Sequence, residues 1–166
     1  MNAREIAAVL EEIAMLGELM GENPFRTRAF AAAARTLEGT TADLAALARA
    51  GELTTLPGVG PAIADTVAEL LATGRSAQHE RLRESVPVGL HDLLRIPGLG
   101  TKRVHTLYAR LGVDSLDRLE AAARAGEVAA LPGFGKKTQE KVLAGLGFVR
   151  SVAGRRRYPQ ALELEP

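Results

Sequence analysis

Apolar residues recur along this chain at the three- and four-residue spacing of amphipathic helices. Near the start, Ile6, Val9, Leu10, Ile13, Leu16 and Met20 share one face, with Asn2 placed to cap the helix and Gly21 to stop it. A second helix is expected after Pro24, which suits a first turn because it has no N–H to satisfy, and runs to Ala34 or Leu37. Thr41 to Arg49 reads as a third, closed by Gly51, and Pro61 to Thr73 as a fourth, closed by Gly74. Glu84-Ser85-Val86-Pro87 breaks the pattern and marks a boundary between two subdomains. Beyond it come helices from Gly89 to Arg95 and from Lys102 to Leu111, one capped by Asp114 or Ser115 and ending at Gly126, and a last from Lys136 to Leu146. Phe148-Val149-Arg150 is expected to be extended and 154–166 loose. No alternating run is long enough for a sheet. The expected fold is all-α: two small helical subdomains, 1–85 and 86–147, then an extended tail or link over 148–166.

Three of the breaks between helices share one frame: Leu56-Pro57-Gly58-Val59-Gly60, Ile96-Pro97-Gly98-Leu99-Gly100 and Leu131-Pro132-Gly133-Phe134-Gly135, at intervals of 40 and 35 residues. Each opens a helix. A glycine turn there is a phosphate site in outline. The first glycine permits positive φ, the second lets a ligand approach the backbone, and the new helix offers unpaired N–H groups at its positive dipole end. The first and third frames belong to a longer repeat, in which Ala46–Gly60 matches Ala121–Gly135 at a constant register of 75 residues. Three such sites fit a polymer with a phosphate at every unit.

Composition narrows this only by location. Net charge is +1 and there is no cysteine, which removes disulfides and thiolate metal sites. No apolar run is long enough for a membrane span and no signal segment opens the chain, so the expectation is a cytoplasmic protein with no membrane partner. Acidic residues crowd the first segment, while bases gather at Arg26, Arg28 and Arg35, at Lys102 and Arg103, at Lys136, Lys137 and Lys141, and at Arg155, Arg156 and Arg157. The second and third frames are followed by Thr101, Lys102 and Arg103 and by Lys136 and Lys137, the first only by Pro61 and Ala62. The second and third are therefore expected to hold phosphate more strongly.

The repeated unit resembles the helix-hairpin-helix motif, which binds DNA phosphates through backbone N–H groups without reading sequence. The resemblance implies contacts from Gly58, Gly60, Gly98, Gly100, Gly133 and Gly135, with Thr101, Lys102, Arg103, Lys136 and Lys137 beside them. It also implies a monovalent cation, Na⁺ or K⁺, on the carbonyls of Thr54, Leu56 and Val59 and of Leu94, Ile96 and Leu99. Val59, Leu99 and Phe134 are expected to point into the core.

A second stretch is more discriminating. Gly21-Glu22-Asn23-Pro24-Phe25-Arg26-Thr27-Arg28-Ala29-Phe30, with Ala33-Ala34-Arg35-Thr36-Leu37 after it and Glu12-Ile13-Ala14-Met15-Leu16 before it, resembles the N-terminal domain of bacterial family X DNA polymerases. The stretches Val86-Pro87-Val88-Gly89-Leu90, Leu94 to Gly100 and Leu131 to Thr138 resemble the same family. This implies a DNA polymerase beta N-terminal-domain-like fold on three helix-hairpin-helix motifs. It implies a monomeric module for gapped, nicked or 5′-phosphorylated DNA, acting in gap filling and base excision repair at the bacterial nucleoid. Arg26 then matches the basic residue that meets a 5′-phosphate, Phe30 an aromatic near it without the tyrosine hydroxyl, and Phe25 a ring that stacks on a template base, with Arg28 and Arg35 adding charge. The plain alternatives are core packing for the two rings and a solvated face for the arginines.

Where the family's eukaryotic members carry a lyase amine, this chain has Thr66, and Ala62 replaces a phosphate-binding lysine. No lysine occurs before Lys102, so Schiff-base chemistry of that kind is not expected. The family's three catalytic carboxylates lie on a palm domain outside this region. Asp114 and Asp117 read as helix-start residues, and His79, His91 and His105 have no ligand spacing. No catalytic residue and no catalytic metal site are assigned. Two other readings stay open: a lyase at abasic ends using the N-terminus or Lys102, and an interaction scaffold built from helix-hairpin-helix units.

Overall fold

The computed structural model describes the backbone of residues 1–164 and the side chains of residues 1–152. The described residues are all helix, turn and loop, in two compact units that part between Val86 and Pro87.

The first unit is built on a pair of packed helices. Helix α1 (Ala3–Leu19) opens with a reciprocal cap: Asn2 Oδ1 accepts from the Glu5 N–H at 2.8 Å, and Glu5 Oε1 accepts from the Asn2 N–H at 3.0 Å. Helix α2 (Pro24–Gly39) starts with Asn23 Oδ1 accepting from the Phe25 N–H at 2.9 Å and Pro24 in its first turn. Ile6, Leu10, Leu16 and Leu19 of α1 are buried with Phe30, Ala33 and Leu37 of α2. Helix α3 (Leu44–Ala50) begins later than its apolar pattern indicates, because Asp43 turns back to accept from the Ala46 N–H. A 3-10 turn (Leu53–Thr55) leads to the first hairpin and helix α4 (Pro61–Thr73).

Helix α5 (Ala77–Ser85) has no counterpart in the apolar pattern, since Leu82 is its only buried residue. Local polar contacts form it. Ser76, itself buried, accepts from the His79 N–H at 3.3 Å, and Arg75 pairs with Glu80 at 2.6 Å. Tertiary contacts hold it to α1: Glu12 lies 3.6 Å from Arg83 and 3.3 Å from His79 Nε2, the latter outside hydrogen-bond geometry.

The second unit contains α6 (Gly89–Leu94), α7 (Thr101–Leu111), α8 (Leu116–Arg124) and α9 (Gly135–Leu164). Of the two candidate caps for α8, Ser115 is the one used, accepting from the Arg118 N–H at 3.1 Å, while Asp114 pairs with Arg118 at 3.3 Å. Leu90, Leu93, Ile96, Val104, Leu107, Leu119, Val128, Val142 and Leu146 form the core.

One expectation is overturned here. Residues 148–150 are helical, so the tail expected over 148–166 continues as α9 to Leu164. Val149 is 3 % exposed, and Arg150 donates to Glu120 at 3.3 Å and to Asp117. The anchor comes from α8, far away in sequence, and local composition does not reveal it. The rest of the segment expected to be loose, from the side chains of 153 onward to 165–166, lies outside the described residues.

Helix α9 can approach the second hairpin because residue 145 is glycine. A Cβ at Gly145 would stand 2.6 Å from Ile96 Cγ2, whereas one at Gly147 would meet nothing within 4 Å. Gly145→Ala should lower stability by about 1–3 kcal/mol through overpacking, despite alanine's better helix propensity. Gly147→Ala should raise it by about 0.5–1 kcal/mol. Thermal unfolding followed by circular dichroism separates the two, and equal effects of the same sign would contradict the close contact.

Candidate nucleic-acid interface

The three glycine frames fold into one turn. In each, the residue between the glycines donates its N–H to the carbonyl of the residue before the proline: Val59 to Leu56, Leu99 to Ile96 and Phe134 to Leu131, each at 3.1 Å. Proline at the second position and glycine at the third is the type II pattern, and Gly58, Gly98 and Gly133 have φ of 78°, 89° and 82°. An L side chain is strained there. Val59, Leu99 and Phe134 are buried and anchor each turn to its core.

The second glycines are not alike. Gly60 and Gly100 have extended backbone, φ −82° and −88°, and each is the N-cap of the helix that follows. Any residue adopts that conformation, and a Cβ would meet nothing within 4 Å. The fold therefore does not require glycine at either place. Helices α1, α2, α3, α5 and α8 each begin with an Asn, Asp or Ser side chain accepting a first-turn N–H, but α4 and α7 have no side-chain cap. A helix start without a side-chain cap keeps the positive dipole end that can hold an anion. Gly135 differs: it has φ 74° and is already the first residue of α9. The third hairpin shares the turn of the other two but not their helix entry.

Side chains divide the copies further. Lys102, Lys136, Lys137 and Lys141 are exposed, and among the described residues none of them pairs with a carboxylate. Thr101 is half-buried. Arg103, expected to reach outward to phosphate, turns back: its Nη1 donates to Gly98 O at 3.1 Å, and its guanidinium lies 5.6 Å from the centre of the Phe134 ring.

The first hairpin has no charge of its own, but it is tied to a helix that does. Thr36 Oγ1 on α2 donates to Pro57 O at 2.8 Å. Sequence reasoning missed Thr36, because a threonine inside a helix carries no signal of its partner. Its helix carries Arg26, Arg28 and Arg35, all exposed and, among the described residues, free of carboxylate partners. Arg28 and Arg35 lie two turns apart on the face away from the buried stripe of Thr27, Phe30, Ala34 and Leu37. Phe25, at the start of the helix, is 78 % exposed.

Phe30 has to be reassigned. It is 3 % exposed and belongs to the core between α1 and α2, where it offers a ring face to the Arg26 guanidinium at 5.9 Å. Its side chain supports Arg26 and has no free surface for a nucleotide. Thr66 is also buried, and its hydroxyl donates back to Ala62 O at 3.2 Å. In the candidate carbonyl sets, Leu56 and Ile96 each accept the turn hydrogen bond and keep a second lone pair. Among the described residues no group of three or more His, Asp or Glu side chains is placed to hold a metal ion. No helix there is long and apolar enough to cross a membrane.

Residues 1–76 match the helix-hairpin-helix domain, and residues 90–147 match the SAM-like helix-hairpin-helix tandem. Both units thus match helix-hairpin-helix domains, each over its own stretch of the chain. It is 40 % identical over 147 residues to the DNA polymerase/3′-5′ exonuclease PolX of Bacillus subtilis, a match covering 89 % of this chain and 25 % of that protein. It is 41 % identical over 68 residues to the UvrABC system protein C of Beutenbergia cavernae, covering 41 % of this chain and 9 % of that one. The chain thus resembles the helix-hairpin-helix region of a bacterial family X polymerase and spans about a quarter of that relative's length.

The uncapped helices give a test in which stability and binding move in opposite directions. Gly100→Asp supplies α7 with the cap it lacks and should leave the protein as stable or up to about 0.5 kcal/mol more stable. The new carboxylate occupies the anion position, so duplex affinity in a fluorescence anisotropy titration should fall at least about tenfold. Unchanged affinity would show that α7 does not face the phosphate.

Proposed function

We propose that this chain is a sequence-independent DNA-binding module that seats gapped or nicked DNA for a family X polymerase acting in repair. The observation that carries this reading is the pair of helices, α4 and α7, that follow the shared Pro-Gly turn and begin at unconstrained glycines with no side-chain cap. Such a site takes a phosphate and ignores the base, and a polymer with regular phosphates can occupy more than one. The exposed lysines and arginines add the charge that makes such binding salt-dependent.

The module's preference for a gap comes from α2. Arg26, held over the Phe30 ring, meets the 5′-phosphate at the downstream edge, and the exposed Phe25 stacks on an unpaired template base. Stacking of that kind contributes roughly 1–3 kcal/mol per base. Na⁺ or K⁺ on the carbonyls of Thr54, Leu56 and Val59, and of Leu94, Ile96 and Leu99, completes the two cradles by adding positive charge beside the uncapped helix. Nucleotide transfer itself belongs to carboxylates elsewhere in a polymerase of this family. This reading places the protein on DNA in the bacterial cytoplasm.

The test compares a one-nucleotide gap bearing a 5′-phosphate with the same gap bearing a 5′-hydroxyl, across a salt series. Wild-type protein should favour the phosphate, and Arg26→Ala should remove most of that preference. Arg28→Ala and Arg35→Ala should weaken binding to both alike, each making the log–log salt slope shallower by about 0.9. Equal losses on both substrates for Arg26→Ala would overturn the gap-edge assignment.

A further inference from the structure

Arg103 spans two hairpins. Its Nη1 donates to the carbonyl of Gly98 in the second, and its guanidinium lies 5.6 Å above Phe134, the buried anchor of the third. The equivalent position, three residues past the second glycine, is Ile63 in the first frame and Thr138 in the third. Neither has a guanidinium, so within the repeat the clamp is particular to the second copy.

Both contacts act on the turn itself. Gly98 is the residue at φ 89°, and its carbonyl belongs to the peptide that also contains the Leu99 N–H, the donor that closes the turn on Ile96. Fixing that peptide fixes the direction in which the chain enters α7 through Gly100. The uncapped end of α7 is therefore oriented before any ligand arrives, and binding does not have to order it. Phe134 holds the guanidinium by its flat face, which a lysine ammonium does not reproduce together with the forked donor geometry.

We propose that Arg103 is a positioning residue that couples the second and third hairpins, and that the third hairpin supports the cradle of the second through Phe134. This accounts for the third frame, whose Gly135 lacks the cap geometry of Gly60 and Gly100 but whose anchor is the aromatic one. It rests on the second hairpin being a phosphate site.

The test measures duplex affinity against salt, and amide hydrogen exchange of the free protein, for wild type and for R103A, R103K, F134L, F134Y and R103A/F134L. R103A should weaken binding about tenfold with the salt slope unchanged, and R103K should not rescue it. Exchange at the Leu99 amide should quicken in both. F134Y keeps the ring face and should bind like wild type, F134L should match R103A, and the double variant should be no worse than either single one. A slope shallower by about 0.9 in R103A, with affinity restored in R103K, would make Arg103 a direct phosphate ligand and overturn the proposal. Should F134L fail to fold by circular dichroism, the slope and exchange results for R103A and R103K still decide. Wild-type protein that binds no duplex at any salt would instead remove the phosphate reading itself, a result distinct from either Arg103 outcome.

Discussion

One backbone hydrogen bond, repeated three times, organises both units. The N–H of Val59, Leu99 or Phe134 closes a Pro-Gly turn onto the preceding apolar residue, and the same residue is buried as the turn's anchor. The turn reverses the chain without leaving buried polar groups unpaired, because its outer edge stays in solvent. It also decides where the next helix begins. The N-terminal end of α4 or α7 thus has its position set by a core contact a few residues earlier.

Folding leaves some helix starts in this chain without a side-chain cap. Five helices cap themselves with Asn, Asp or Ser, so capping is within reach of this sequence; α6 has no side-chain cap, and α4 and α7 begin without one at Gly60 and Gly100, where a Cβ would meet nothing within 4 Å. A glycine in place of such a cap forgoes roughly 0.2–0.5 kcal/mol of stability. The positive charge around these sites comes from different sources. The first hairpin is tied by Thr36 to the arginine-bearing α2, and the second is followed directly by Lys102. The bulk charge of +1 is therefore a poor guide, since the acidic residues of α1 enter it with equal weight.

Aromatic residues in this chain orient cations as well as fill space. Phe30 and Phe134 are both buried, and each presents a ring face to an arginine at 5.9 or 5.6 Å. A guanidinium on a ring loses rotational freedom before it meets a ligand, and what it then meets depends on which way the stack points. Arg26 is exposed, while Arg103 is half-buried and has a carbonyl partner within its own hairpin.

The all-helical class, most helix positions and the three turns were determined by the sequence alone, because each rests on local chemistry: apolar spacing, Asn and Ser caps, and glycine where φ must be positive. Local chemistry also carried the helix-hairpin-helix resemblance. Tertiary structure decided whatever depends on a partner distant in sequence. Helix α5 has almost no apolar stripe and is held against α1 through Glu12. Residues 148–150 are helical because Val149 enters a core and Arg150 finds Asp117 and Glu120. Phe25 and Phe30 have the same side chain five residues apart on one helix, and only the packing of α1 against α2 makes one ring exposed and the other core. The sequence places Arg103 beside a hairpin, but the direction of its side chain depends on Phe134, which belongs to the third hairpin.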